Sequence, residues 1–134
     1  MTNENKLTGS CLCGGTRYEV TESPKKITIC HCRMCQRWSG GAFAAAAEFP
    51  DRSITWTHEP TLYQSSDRGY RSFCSNCGSS IGYHWPDDGT VWIALGTLDD
   101  PERVHPQYHI FAEEQRSWAK IDDGLPHHPQ FPPQ

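Results

Sequence analysis

Residues 30–35, Cys-His-Cys-Arg-Met-Cys, hold three sulfur atoms in a short stretch of chain. If Cys30 ends a strand, side-chain alternation directs Cys30 and Cys32 to one face and His31 to the other. A turn after Cys32 then brings Cys35 beside them. Three thiolates are one ligand short of the tetrahedral set that zinc prefers, and an open position is typical of catalytic rather than structural zinc. The spacing therefore predicts a zinc site formed by Cys30, Cys32 and Cys35, the three-cysteine site.

The other four cysteines form two pairs. Cys11 and Cys13 make a Cys-x-Cys between glycines, and Cys74 and Cys77 make a Cys-x-x-Cys that is followed by a glycine. Together the pairs supply a closed set of four thiolates, which is typical of a structural zinc. We expect this four-cysteine site (Cys11, Cys13, Cys74 and Cys77) to tie the start of the chain to a strand far along it.

Two other interpretations use the same residues. The seven cysteines could form one zinc site and leave spare buried thiols, although buried thiols have no need of glycine-flanked turns. Alternatively, a histidine could close the three-cysteine site. His31 is the nearest candidate, but alternation points it away from the sulfurs, and tail residues His127 and His128 are expected to be solvated. The remaining candidates could approach only through the fold: His58, His84, His105 and His109.

Composition limits the classes of function. The 134 residues are one domain by size, the net charge is −4, and no run of Lys or Arg marks a nucleic-acid surface. No window approaches the roughly 18 apolar residues that span a membrane. The polar start lacks the apolar segment of a signal peptide. Cysteines in tight clusters without an export signal indicate metal rather than disulfides. We therefore expect a cytoplasmic protein that binds neither nucleic acid nor membrane.

Short β-branched and aromatic runs between turn signals predict a mostly β fold of antiparallel sheets with only short helical turns. One helical turn is predicted over 33–38. The alanine-rich run 42–49 is ambiguous, and we predict a strand because it is short and lies between glycines and a proline. Residues 1–8 are predicted to be a disordered lead-in, and the Pro-rich tail from Asp122 to be extended or loose. The other predicted strands are 16–21, 26–30, 53–58, 61–66, 70–74, 80–85 and 91–98.

Over roughly residues 7–126 the sequence resembles the glutathione-dependent formaldehyde-activating family, which also includes centromere protein V. Three spaced cysteine clusters in the right order carry the resemblance. The matching segments are Gly9–Gly14, Cys30–Arg37 with Gly40, Arg71–Ser79, Gly96–Pro101, His109–Phe111, Trp118 and Asp123–Pro126.

The resemblance implies a small β fold of twisted antiparallel sheets and two zinc ions per chain. One zinc is structural, on Cys11, Cys13, Cys74 and Cys77. The other faces the substrate, on Cys30, Cys32 and Cys35. The reaction implied is the condensation of glutathione with formaldehyde to S-(hydroxymethyl)glutathione, which is a carbon–sulfur lyase reaction run in reverse.

The residues themselves suit such chemistry. A site with three thiolates is a weak Lewis acid that favours a soft thiol over hydroxide, so thiol–aldehyde adducts are a sensible substrate class. Arg33, Arg37 and Arg71 are candidates to hold glutathione carboxylates. Gln36 and Ser39 could donate hydrogen bonds to a developing oxyanion. Candidates for the pocket wall are Trp38, Phe43 and Trp85.

Two non-catalytic functions stay open. The chain could carry glutathione or its adduct without accelerating a reaction, since aldehydes and thiols combine unaided. It could also be an interaction module in which zinc only shapes the fold. A free fourth position on the second zinc would favour the enzyme or the carrier over the interaction module. Acceleration of the reaction would then distinguish the enzyme from the carrier.

Overall fold

The computed structural model describes residues 6–133. Within them the chain forms ten β-strands, one α-helix and several 3-10 turns. The strands are β1 (Leu7–Ser10), β2 (Arg17–Val20), β3 (Lys26–Cys30), β4 (Ala44–Pro50), β5 (Ile54–His58), β6 (Thr61–Gln64), β7 (Tyr70–Phe73), β8 (Ser80–Trp85), β9 (Thr90–Ala94) and β10 (Tyr108–Ile110). Helix α1 spans Arg33–Ser39, and the 3-10 turns span Asp51–Ser53, Pro86–Asp88, Leu95–Thr97, Pro101–Arg103 and Ala112–Glu114.

The strands form two sheets. A three-stranded sheet has the order β1-β2-β5, and a seven-stranded sheet has the order β10-β3-β4-β9-β8-β7-β6. Neighbouring strands are antiparallel except β10, which pairs with β3 in parallel. The fold is thus mostly β, as predicted, with one parallel pair that the sequence pattern did not indicate.

The two faces of strand β4 have different surroundings. One face packs in the hydrophobic core, and the other lines a cavity. Ala47 and Phe49 are fully buried in the core with side chains from both sheets. The alternating residues Ala44, Ala46 and Glu48 line a cavity on the other face. The small side chains of Ala44 and Ala46 leave space that larger residues would fill. The prediction of a strand over the ambiguous run 42–49 is confirmed.

Helix α1 begins at Arg33, shortly after the strand that ends with the first cysteine of the three-cysteine site. Cys32 is its N-cap, and the Cys32 Sγ accepts a hydrogen bond from the Cys35 N–H at 3.4 Å. Gly40 ends the helix in the left-handed region, with φ of 77°, which glycine adopts without steric cost. The cap and the glycine stop confine the helix to the predicted turn and one further residue.

The ends of the described chain are more ordered than the sequence suggested. The predicted lead-in 1–8 is wrong for Leu7 and Thr8, which pair with β2; residues 1–5 lie outside the described residues. The tail is not loose, and bends interrupt it, so that it is not a continuous extended run. Its backbone bonds to β10 and the residues that follow, through pairs such as His109 N–H to Pro126 O at 2.8 Å and Phe111 N–H to Gln130 O at 3.1 Å. No helix within residues 6–133 is long and apolar enough to cross a membrane.

Candidate functional site

The four-cysteine site joins the two sheets. Cys11 and Cys13 follow β1 of the small sheet, and Cys74 and Cys77 follow β7 of the large one. The Sγ atoms of Cys11 and Cys13 are 3.6 Å apart, and those of Cys13 and Cys74 are 3.8 Å apart. Sulfurs arranged tetrahedrally around zinc at about 2.3 Å are separated by roughly 3.8 Å. The donor set and its spacing therefore fit a zinc ion.

Backbone and side-chain N–H groups surround these sulfurs. The Thr16 N–H donates to Cys11 Sγ at 3.2 Å, and the Gly15 N–H and the Asn76 side chain each donate to Cys13 Sγ at 3.3 Å. Hydrogen bonds from the Ser79 hydroxyl and then the Ser79 backbone lower the pKa of Cys77 to about 5. Such donors favour the thiolate that metal binding requires.

The three-cysteine site lies at the junction of β3 and α1. Cys30 is the last residue of β3, Cys32 is the helix N-cap, and Cys35 is buried in the first turn of the helix. Their Sγ atoms all lie within 4.8 Å of one another. No His, Asp or Glu of residues 6–133 joins this group, so a closing histidine is not found there. Three soft donors at this spacing can hold a metal ion while leaving one coordination position to another ligand.

The three thiols influence one another's ionisation. Hydrogen bonds with Cys30 and Cys35 lower the pKa of Cys32, and the positive charge of Arg71 lowers it further. Hydrogen bonds with Cys32 and Cys35, together with burial, raise the pKa of Cys30. The thiols therefore do not titrate independently, and Cys32 is the first to lose its proton.

A cavity of about 430 Å³ adjoins these sulfurs. Its floor is formed by β3 and β4, through Thr28, Ala44 and Ala46. Only three of its lining residues carry a charged group: Arg71, Glu48 and Asp88. The largest group among the other lining residues is aromatic and comprises Trp38, Tyr83, Trp85, Trp92, Phe111 and Phe131.

Arg71 is a buried cation in this wall. Only 5% of the residue is exposed, and it forms no salt bridge with an Asp or Glu among residues 6–133. Its guanidinium carbon lies 5.1 Å from the Trp38 ring centroid and 4.0 Å from that of Tyr83. The Arg71 Nε has no hydrogen-bond partner. The cavity therefore contains a positive group whose nearest ionisable neighbours include the thiols.

Only some of the residues predicted to contact the substrate lie at the three-cysteine site. Arg71 and Trp85 line the cavity at the three-cysteine site, as do Trp38 and the three cysteines. Arg33 is exposed, and its guanidinium donates to the Gln36 side-chain carbonyl. Gln36 is buried and donates to the His31 and Glu114 carbonyl oxygens at 2.7 Å and 3.1 Å.

The other candidates lie on neighbouring surfaces. Ser39 donates to the Phe43 carbonyl at 2.9 Å, and both residues line a separate cavity of about 830 Å³. Arg37 lines that cavity and a further one of about 620 Å³. These residues are thus close to the site in sequence but do not face the sulfurs' cavity.

Sequence reasoning from spacing missed a buried histidine pair behind the three-cysteine site. His31 and His109 are both fully buried, with His31 Nε2 2.8 Å from His109 Nδ1. The His109 Nε2 lies 2.8 Å from an oxygen of Asp123. Burial, with the neighbouring His109 second, lowers the pKa of His31 to about 4. The only sequence signal for this group was the match of His109 and Asp123 to family segments.

Comparison with known proteins identifies the family. A model described as "Glutathione-dependent formaldehyde-activating enzyme" matches residues 6–114. A Halomonas elongata protein, provisionally named a glutathione-dependent formaldehyde-activating enzyme, is 29% identical over 133 residues, covering 87% of this chain and 81% of the relative.

Two further matches cover less of this chain. An uncharacterised lyase of Schizosaccharomyces pombe is 30% identical over 73 residues, covering 54% of this chain and 53% of the relative. A crystal structure of a Rhodobacter sphaeroides protein shares the fold, with a TM-score of 0.58 at 22% identity, covering 74% of this chain and 91% of that one. On the match of the family model to most of its length, this chain belongs to the glutathione-dependent formaldehyde-activating enzyme family.

Proposed function

We propose that this chain is a zinc-dependent carbon–sulfur lyase that forms and cleaves thiol–aldehyde adducts, with glutathione as the thiol and formaldehyde as the aldehyde. One observation carries the proposal: three cysteine sulfurs with no fourth ligand among the described residues adjoin a cavity of about 430 Å³. The names of the family and of its relatives support the substrates and the lyase class.

The two cysteine sites are proposed to differ in role. Cys11, Cys13, Cys74 and Cys77 would hold a structural zinc, because four thiolates leave no position for another ligand. Cys30, Cys32 and Cys35 would hold the second zinc. When bound there, zinc favours the thiolate form of an entering thiol, because a nearby positive charge stabilises the anion.

In the net reaction the thiol sulfur bonds to the aldehyde carbon, the carbonyl π bond breaks, and the thiol proton ends on the carbonyl oxygen. Arg71 is the residue we propose to stabilise negative charge on that oxygen. It is buried beside the thiols and has no carboxylate partner within residues 6–133. A cation in a site shielded from water acts strongly on developing charge. Its guanidinium carbon lies over the rings of both Trp38 and Tyr83.

The end of the cavity away from the cysteines carries groups that suit glutathione. Glu48 lies four residues along β4 from Ala44, which pairs with Cys30, a span of about 13 Å. Standard bond lengths give roughly 10 Å from the sulfur of extended glutathione to its amino group. Neither Glu48 nor Asp88 forms a salt bridge with another described residue, and this includes Lys26, which pairs with Glu48 across β3 and β4. We propose that these carboxylates bind the glutathione ammonium group.

Magnetisation-exchange NMR on an equilibrium mixture of glutathione and formaldehyde tests the activity. The zinc-loaded protein should accelerate exchange between free glutathione and its adduct, and Cys35→Ser should abolish the acceleration. An unchanged exchange rate would disprove the activity. Isothermal titration with glutathione would then separate the two alternatives, because a carrier binds the thiol and an interaction module does not.

A further inference from the structure

A hydrogen-bond chain links the C-terminal segment to the three-cysteine site. An oxygen of Asp123 lies 2.8 Å from His109 Nε2, and His109 Nδ1 lies 2.8 Å from His31 Nε2. Both imidazoles are fully buried, and the Asp123 side chain is 28% exposed. His31 stands between Cys30 and Cys32 in the sequence. The series of hydrogen bonds therefore ends at the residue between two of the three cysteines of the site.

The bonding partners fix the tautomer of each ring. A carboxylate only accepts hydrogen bonds, so the proton of neutral His109 lies on Nε2. His109 Nδ1 must then accept, and His31 Nε2 must carry the proton of the next bond. This leaves His31 Nδ1 as a bare acceptor, and His31 Nδ1 has no partner in the structure. One consistent arrangement of protons thus runs from Asp123 to His31.

The main chain of His31 is fixed from two further directions. Its N–H donates to the Ile110 carbonyl at 3.1 Å, and its carbonyl accepts from the Gln36 side chain at 2.7 Å. With the ring held by His109, the residue has little freedom to rotate. Because Cys30 and Cys32 flank it, the position of the His31 backbone bears on where their Sγ atoms point, together with the strand pairing of Cys30 and the helix cap at Cys32.

Asp123 is itself held in place. Its second carboxylate oxygen accepts from the Leu125 N–H at 3.1 Å. The segment that follows bonds to His109 on both sides, through the Pro126 carbonyl at 2.8 Å and the His128 N–H at 3.0 Å. His127 stacks on His109 with ring centroids 3.8 Å apart. The C-terminal segment is thus a support for the buried ring of His109.

A metal ion held by His109, Asp123 and His127 is the alternative use of these groups, because their ligand atoms lie within 4.8 Å of one another. The rings of His109 and His127 are within 12° of parallel, so their in-plane nitrogen lone pairs do not converge on one point. The ring nitrogens of His127 already face the Leu125 and Ile121 carbonyl oxygens at 2.8 Å and 3.1 Å. The geometry favours support of His31 over a metal site.

We infer that Asp123 and His109 are positioning residues for the three-cysteine site: through His31 they fix the separation of the Cys30 and Cys32 sulfurs, and with it the affinity of the site for metal. This inference rests on the metal site of the proposed function. Groups hydrogen-bonded directly to metal ligands typically change metal affinity by about 10–100-fold when they are replaced, and residues that act one step further back, through His31, should lie at the lower end of that range. The C-terminal segment, which carries no cysteine, would then belong to the functional site.

The test compares Asp123→Asn with Asp122→Asn, a matched change at the adjacent exposed carboxylate. Co²⁺ is titrated into each metal-free protein while thiolate-to-cobalt charge-transfer absorption is recorded, and Cys35→Ser identifies the bands of the three-cysteine site. We expect Asp123→Asn to weaken Co²⁺ binding at that site about 10-fold or more. Binding at the four-cysteine site should not change, and Asp122→Asn should match the wild type at both sites.

A second pair of variants addresses folding. His109→Gln can still accept from His31 and donate to Asp123, whereas His109→Leu can do neither. The glutamine should therefore retain more cobalt affinity than the leucine, with circular dichroism recording the fold of each. Equal affinities in Asp123→Asn and Asp122→Asn would overturn the inference even if glutathione exchange is catalysed. A weakened site in Asp123→Asn without any exchange activity in the wild type would instead contradict only the proposed function.

Discussion

The guanidinium carbon of Arg71 lies 4.0 Å from the centroid of the Tyr83 ring, in the wall of the cavity that holds the three cysteines. A buried charge normally requires a partner of opposite sign. No carboxylate within residues 6–133 supplies one to Arg71. Two aromatic rings and the neighbouring thiols surround Arg71 instead. A substrate oxygen that gains negative charge would therefore supply the missing anionic partner.

Replacement of Arg71 by methionine should lower activity without lowering stability. The loss of a charge-assisted hydrogen bond of about 1.5–3 kcal/mol predicts a fall in the exchange rate of roughly 10–100-fold. The free energy of unfolding should not decrease, because the change removes a desolvated charge that no carboxylate balances. NMR exchange rates and urea unfolding measure the two effects. Arg68→Met, at an exposed turn, is the control, and full activity in Arg71→Met would contradict the assignment.

Glu48→Gln should weaken the binding of glutathione but not of N-acetylglutathione, whose amino group is uncharged. A partly exposed ion pair contributes up to about 1 kcal/mol, so KM for glutathione should rise roughly 5-fold. The same variant should leave KM for the acetylated thiol unchanged. Glu59→Gln, at an exposed position outside the cavity, should affect neither. If both thiols respond equally to Glu48→Gln, the carboxylate does not contact the ammonium group.

Most of the strands could be predicted from the sequence because they depend on local alternation and turn residues, although β1 overlaps the segment predicted to be a disordered lead-in. β3 and β8 begin and end at the predicted residues. β10 was missed because it has three residues and pairs in parallel with a strand far from it in sequence. Register of that kind is set by distant backbone groups and leaves little local pattern.

The site was predictable to a similar degree. Spacing grouped the cysteines as the structure does, because the ligands in each pair are neighbours in the chain. Helical periodicity explains which other residues reach the cavity. Met34, Cys35 and Trp38 share one side of α1 and line the cavity, whereas Arg33 and Gln36 lie on another side. Nearness to Cys35 in sequence was therefore a poor guide, and Arg71 reaches the site only through pairing of β7 with β8.

His84 should make stability sensitive to mild acid. Burial lowers its pKa to about 4, and its Nε2 lies 2.7 Å from the Ser72 hydroxyl. A histidine whose pKa is lower in the folded state makes its full contribution to the free energy of unfolding above its unfolded pKa of about 6.5. This contribution is lost as pH falls toward 4. Between pH 7.5 and 5 the wild type should lose about 1–2 kcal/mol more than His84→Gln, after allowance for partial exposure.

Urea unfolding at the two pH values measures this difference. Because acid also protonates the cysteines in both proteins, only the difference between wild type and variant reports on His84. His58→Gln is a suitable control, since His58 is exposed on β5 and should follow the wild type. A loss of stability that is identical in all three proteins would show that His84 does not contribute.

Cys74→Ser and Cys35→Ser should have opposite consequences if the two cysteine sites differ in role. The four-cysteine site joins the small sheet to the large one, so removal of a ligand there should prevent cooperative folding. A structural zinc contributes about 10–16 kcal/mol, which is comparable to the whole stability of a domain. The three-cysteine site joins only β3 to the helix that follows it. Cys35→Ser should therefore keep the fold and lose only its own zinc.

Thermal unfolding by circular dichroism and zinc content per chain distinguish the two variants. A Cys74→Ser protein that unfolds at the wild-type temperature would mean that hydrophobic packing between the sheets, around Tyr18 and Phe49, suffices without the metal.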